Sequence, residues 1–161
     1  MPVVVFSSSA AVYGAPDVDL IHENQPYNPL SPYGQTKAMI EIMLVDYYKA
    51  YGMKSASLRY FNACGADPSG ELGQAPGATH IIARLLESVR DNKEFTLYGS
   101  DYATPDGTCI RDYVHVNDLA NAHSHAVSYL LSDMQECFAV NLGTEQGYSN
   151  REIICAVRDF I

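Results

Sequence analysis

PVVVFSSSAAVYG, residues 2–14, opens on a short unbroken apolar run and passes directly into serines and small residues. A run such as PVVVF (2–6) suits a buried strand of a parallel sheet. Serines just after it would stand at the strand's carboxyl end, where open α/β sheets bind their ligands. Residues 15–30 are rich in Pro, Asn and Asp and read as a loop. Ser31-Pro32 then offers an N-cap and a proline at the first helical position, and Gly52 offers a stop, so a helix is predicted over 32–51. SASLRYF (55–61) predicts the next strand, and the Gly- and Pro-bearing residues 62–77 a long loop. ATHIIARLLESVRDN (78–92) is periodic and helical, FTLYG (95–99) reads as a strand, and SDYATPDGT as another loop. RDYVHV (111–116) is short and extended; Asn117-Asp118 can cap a helix to about Leu131. CFAVNLG (137–143) reads as a strand, and Ser149 as the cap of a last helix. This alternation predicts an α/β protein with a parallel sheet.

The 161 residues are 47% apolar and 18% charged, enough for one domain with a real core. No apolar run approaches the length of a membrane span, and the N-terminal stretch has neither the basic leader nor the apolar length of a secretory signal. Ten basic against 19 acidic residues leave a net charge of −9. That argues against nucleic acid or an anionic membrane as the partner, since both need a basic patch. A small anionic ligand needs only a local arginine or a helix N-terminus. Cys64, Cys109, Cys137 and Cys155 form no CxxC pair and no zinc spacing, so no metal site is predicted. They read as buried free thiols of a reducing cytoplasm.

Along the predicted helix, Ile40, Leu44, Tyr47 and Tyr51 share one face, and Met39, Ile42, Met43 and Val45 cover much of the rest. Strongly polar groups are few: Lys37, Glu41, Asp46 and Lys49. A helix apolar nearly all round is buried on more than one side. One side can lie on the sheet; the other predicts a second helix or a homo-oligomer through residues 32–51.

SPYGQTK (31–37) places Tyr33 one helical turn before Lys37. A tyrosine phenol has an ordinary pKa near 10. An ammonium one turn along its helix favours the ionised form and makes a phenol usable as a general acid or base near neutral pH. Alone, the spacing equally fits a helix-surface pair. Ser9 adds a hydroxyl that could share a hydrogen bond with Tyr33 and a substrate oxygen, although serine also caps turns well.

The motifs FSSSAAVYG (6–14), SPYGQTK (31–37), LRYFNACGADPSGELG (58–73), THII (79–82), LYGSDYATPDGTCIRDYVHVNDLANAH (97–123) and NLGTEQGYSN (141–150) together resemble the sugar-nucleotide epimerases of the extended short-chain dehydrogenase/reductase family, in that family's order. The resemblance implies part of a Rossmann-like doubly wound parallel sheet plus part of a small substrate-binding domain. Residues 1–66 would be the C-terminal half of the NAD-binding domain, and 67–161 mostly the UDP-sugar part, with strands of about 111–143 returning to the main sheet. It implies NAD-dependent interconversion of UDP-glucose and UDP-galactose, by oxidation at C4 to a 4-keto sugar and re-reduction. Tyr33 would take the C4 hydroxyl proton, Ser9 would assist, and Lys37 would favour the phenolate and hydrogen-bond the nicotinamide ribose. Phe61 would lie near the nicotinamide. Asn62 and Arg111 would contact the substrate phosphates, His80 would lie near the pyrophosphate, Thr96, Leu97 and Tyr98 around the uracil, and Ile81 would be a further substrate-binding residue.

Other readings stand beside these. The substrate could be a UDP-xylose, a UDP-uronate or a UDP-N-acetylhexosamine; a 4,6-dehydratase fits poorly, because Ala10 and Ala11 stand where an acidic residue belongs. A non-catalytic binding or dimerisation module is a further class. Arg111 could pair with Asp112 on the surface, His80 could cap a helix, and Tyr98-Gly99 could close a strand. His115, His123 and His125 read as structural, and Asp101 and Asp106 as turn formers. The family's GxxGxxG turn and its ribose-binding acidic residue are not found in this sequence, nor is the family's final substrate-domain segment. The resemblance therefore implies the central part of a two-domain enzyme. The expectations are an open sheet edge beside Val3–Phe6, no NAD retention or turnover by the 161 residues alone, and self-association.

Overall fold

The computed structural model describes residues 3–77, 79–132 and 137–160; Pro2 of the predicted first strand and Ala78 of the predicted second helix lie outside them. The first strand, β1, spans Val4–Ser9 and carries the serines inside it. Their inclusion follows from register. β2 (Ser55–Tyr60) runs parallel to β1, pairing Ser7 with Leu58, Ser8 with Arg59 and Ser9 with Tyr60, so the ladder continues to the end of β2. β5 (Cys137–Leu142) pairs parallel on the other side of β2. The order is β1-β2-β5, and among the described residues no strand covers the outer edge of β1.

Successive β2 residues face opposite sides of the sheet. Ala56 and Leu58 join Ala126 and Leu130 of helix α3 (Val116–Leu131), with Val3, Val5, Phe138, Val140 and Leu142 packed around them. Helix α1 (Pro32–Tyr51) covers the other face. Both of its ends follow the sequence. Ser31 Oγ accepts the Gly34 N–H at 3.1 Å, Pro32 opens the first turn, and Gly52 leaves it at φ 66°. The side that lies on the sheet is not the most apolar one. Gly34, Ala38, Glu41 and Leu44 are buried, whereas Ile40, Tyr47 and Tyr51 are exposed. Small residues select the face: a Cβ on Gly34 would stand 2.5 Å from the Ala11 carbonyl oxygen. The helix therefore lies tight on the 3-10 turn Ala10–Tyr13, and Val12, Tyr13 and Ala38 cluster there.

A second sheet forms beyond these strands. β3 (Asn62–Cys64) runs parallel to β4 (Ile110–His115), and β6 (Gly147–Ser149) antiparallel to it. β3 and β6 have three residues each, too few to show a strand period, and β3 falls where a loop is predicted. Residues 95–99, predicted as a strand, have no ladder partner among the described strands and are irregular. Helix α2 (Ile81–Arg90) starts three residues later than predicted. Helix α3 is capped by His115 rather than Asn117 or Asp118, because the His115 ring nitrogen Nδ1 accepts the Asn117 N–H at 3.2 Å. Before α4 (Asn150–Phe160) Ser149 does cap: its Oγ accepts the Glu152 N–H at 3.1 Å while Glu152 Oε2 accepts the Ser149 N–H at 2.7 Å, a reciprocal capping box. No helix among the described residues is long and apolar enough to cross a membrane.

Candidate active site

Ser9 ends β1 and starts the 3-10 turn, its Oγ accepting the Ala11 N–H at 3.2 Å. Gly14 closes that turn at φ 71°, with so little room that a Cβ would stand 2.0 Å from the Asn28 carbonyl oxygen. The cap reading of Ser9 is thus realised, and its hydroxyl proton remains available to donate. Tyr33 projects from the first turn of α1 with 56% of its surface exposed. Lys37 Nζ donates to the Ser7 carbonyl at 2.8 Å and lies 5.4 Å from the Tyr33 ring centre and 4.9 Å from that of Phe6. Tyr33 and Lys37 therefore meet beside the carboxyl end of β1. Among the described residues no hydrogen bond joins Ser9 Oγ to the Tyr33 hydroxyl.

A cavity of about 670 Å³ opens at the same ends of β1, β2 and β5, and Ser9, Phe61, Asn62 and Arg111 line it together. Asn62 Nδ2 donates to the Asp112 carbonyl at 2.8 Å, which fixes its amide on β4. Arg111 makes no ion pair with Asp112. The Asp112 carboxylate instead accepts the Thr144 N–H and hydroxyl and the Glu145 N–H, and Arg111 Nη1 donates to the Ile110 carbonyl. Its guanidinium has no carboxylate partner among the described residues. A smaller cavity, of about 160 Å³, is lined by Ile81, Thr96, Leu97 and Tyr98. His80 is exposed at the N-cap of α2, makes no side-chain cap, and lines neither cavity. The predicted residues thus fall into three groups, Tyr33 with Lys37; Ser9, Phe61, Asn62 and Arg111; and Ile81 with Thr96–Tyr98, with His80 in none of them.

Several other side chains settle into plain roles. Asp106 shapes its turn, accepting the Thr108 N–H and hydroxyl and the Ser149 hydroxyl; those hydrogen bonds, from Ser149 first and Thr108 next, hold its carboxyl below the usual range. His123 fixes one ring nitrogen on the Leu119 carbonyl and the other near the Tyr60 hydroxyl and Ser7 Oγ. All four cysteines are free, but none is fully buried and Cys155 is exposed, contrary to the prediction. Burial pushes the Cys64 thiol up, so it is a poor nucleophile. No cluster of metal-ligating side chains occurs among the described residues.

Two features escape the sequence reading. Ser7, taken there as one serine of three, anchors Lys37 through its carbonyl. Glu41 and Arg59 form a buried ion pair at 2.6 Å. An arginine inside a predicted strand of a parallel sheet was the available signal, since such strands are covered on both faces and a buried charge requires a partner.

Comparison with known proteins places the chain in a family. Residues 1–143 match the NAD dependent epimerase/dehydratase family. The chain belongs to that family. It is 48% identical over 153 residues to a UDP-glucose 4-epimerase of Azospirillum brasilense, covering 94% of this chain and 44% of the relative. It is 44% identical over 157 residues to the Streptococcus mutans enzyme of the same name, covering 96% and 47%. Among solved structures, UDP-glucose 4-epimerase from Brucella ovis in complex with NAD superposes with a TM-score of 0.90 at 49% identity, over 98% of this chain and 49% of that one. The Bifidobacterium longum enzyme in complex with NAD+ and UDP gives 0.87 at 40% identity, over 98% and 48%. The chain spans about half the length of the curated relatives it matches. As a member of this epimerase/dehydratase family it has a Rossmann-like α/β fold.

Proposed function

We propose that the whole protein interconverts UDP-glucose and UDP-galactose with NAD as its resident cofactor. The observation that carries this reading is Tyr33 with Lys37, the latter anchored on Ser7 at the carboxyl end of β1. Relatives named as UDP-glucose 4-epimerases, two of them solved with NAD, support it.

The donor set suits the nicotinamide end of the cofactor. One Lys37 N–H is spent on Ser7, which leaves two to face ribose hydroxyls, and the Phe61 ring on the cavity wall offers an apolar surface. When bound, NAD supplies a hydride acceptor that also returns the hydride. The chain's own residues handle the proton and the substrate. Tyr33 takes the C4 hydroxyl proton as the sugar is oxidised and returns it on reduction. Lys37 keeps positive charge beside the phenol. Ser9 donates to the C4 oxygen while its lone pair stays on Ala11 N–H. Asn62, His80 and Arg111, whose guanidinium has no carboxylate partner among the described residues, hold the diphosphate, the planar guanidinium fork matching pairs of phosphate oxygens. Ile81, Thr96, Leu97 and Tyr98 enclose the uracil. In this division residues 1–66 serve the cofactor and 67–161 mostly the UDP-sugar.

We place the protein in the cytoplasm on its four free thiols. We also assign the exposed apolar face of α1, with Met39, Ile42, Met43, Tyr47 and Tyr51, to contact between two copies. Incubation with NAD+ and UDP-galactose, followed by proton NMR of the anomeric signals, tests the reading. UDP-glucose should appear; a sample that converts neither sugar nucleotide into the other contradicts it.

A further inference from the structure

The Glu41–Arg59 pair lies between α1 and the sheet, with the two residues 2% and 4% exposed. Taking two charges out of water costs several kcal/mol per ion, and apolar replacements of such pairs are often as stable. Stability alone therefore does not account for it. The pair is fully satisfied. Glu41 accepts from Arg59 Nε and Nη2, from the Tyr27 hydroxyl at 2.9 Å and from Ser8 Oγ. Arg59 also donates to the Tyr13 hydroxyl at 2.6 Å and the Glu23 carbonyl at 3.1 Å. Burial alone would pull the Arg59 guanidinium down, but hydrogen bonds to Glu41 and Tyr13 outweigh it and raise it above its ordinary value. Burial raises the Tyr13 and Tyr27 phenols, which keep their protons and stay donors.

Placement gives the pair its further meaning. Glu41 lies one helical turn after Lys37 on α1. Lys37 grips the Ser7 carbonyl, and Glu41 grips the Ser8 hydroxyl. Strand alternation makes this division necessary. The Ser7 side chain points to the α3 face, where it meets Tyr60 and His123, so only its backbone serves α1. The Ser8 side chain points the other way, into α1. Two adjacent strand residues are thereby held by two helix residues one turn apart, and Ser9 follows immediately.

We propose that Glu41, held by Arg59 and tied to Ser8, is a positioning residue that sets the helix bearing Tyr33 and Lys37 against the strand end bearing Ser9. This rests on the proton-transfer reading of Ser9, Tyr33 and Lys37. Ser8→Ala is the discriminating variant, because it cuts the tie and leaves the buried pair intact; Glu41→Gln keeps the shape and removes the charge. In the whole protein Ser8→Ala should lower kcat about 10- to 100-fold, as small misplacements of catalytic groups do. KM for UDP-galactose should stay within about twofold, and the thermal midpoint should hardly move. Independently of turnover, backbone amides 33–41 should exchange with deuterium faster in Ser8→Ala, while those of α3 do not. Wild-type kcat in Ser8→Ala, or unchanged exchange over 33–41, overturns the proposal. Wild-type protein without epimerase turnover defeats the catalytic reading instead, and the exchange experiment still decides whether the tie holds the helix.

Discussion

Tyr33 differs from phenylalanine by the one group that can move a proton, so Tyr33→Phe isolates that role. Turnover should fall by about 10²- to 10⁴-fold, the usual weight of one general acid–base group, with UDP affinity retained by calorimetry. A variant with native turnover would remove Tyr33 from the mechanism. Asp106 sets a pH dependence of structure. Its carboxyl, lowered by the Ser149 and Thr108 hydrogen bonds, binds its proton less readily folded than unfolded. The stabilisation is therefore complete above the ordinary value of 3.8 and lost as pH falls through the lower native one. Since Asp106 accepts from Ser149 at the cap of α4, the protection of the first α4 amides, taken relative to their intrinsic exchange rate, should fall with acid in that window, and Asp106→Asn should abolish the dependence. Protection that does not change with acid in the native chain would contradict this.

At the scale of elements, the cap signals of α1 and the alternation of strand and helix were legible because they are local: Ser31, Pro32 and Gly52 act on their own backbone. What local patterns could not specify was partnership. Residues 95–99 have strand composition but, among the described residues, no strand beside them, whereas Asn62–Cys64 pair with Tyr113–His115 despite lying in a glycine-rich stretch. Which face of α1 is buried stayed open for the same reason: Gly34 and Ala38 permit close approach, and Glu41 looks like a surface charge until Arg59 and Ser8 lie opposite it. Of the candidate site, Tyr33 beside Lys37 followed from helical spacing, while the gathering of Ser9, Phe61, Asn62 and Arg111 around one cavity needed the tertiary fold. Leu130 of α3 is fully buried against the sheet with Ala56, Leu58 and Ala126. Leu130→Ala should cost about 2–5 kcal/mol in a denaturation experiment; a loss below about 1 kcal/mol would show that α3 is not a core element.

At the scale of the whole molecule, two surfaces of the described residues demand cover: the edge of β1 that no described strand pairs and the apolar outer face of α1. If α1 joins two copies, Ile42→Glu should shift the mass measured by light scattering toward the monomer, and an unchanged mass would move the contact elsewhere. The central claim is that a phenol and an ammonium at the end of β1 carry the C4 proton of a UDP-hexose. Its most direct measurement is the rate at which the whole protein with NAD+ converts UDP-galactose to UDP-glucose, native beside Tyr33→Phe. Conversion by the native protein, with a loss of at least about a hundredfold on removing the hydroxyl, is the predicted result. Equal rates in the two, or none in the native protein, would contradict it.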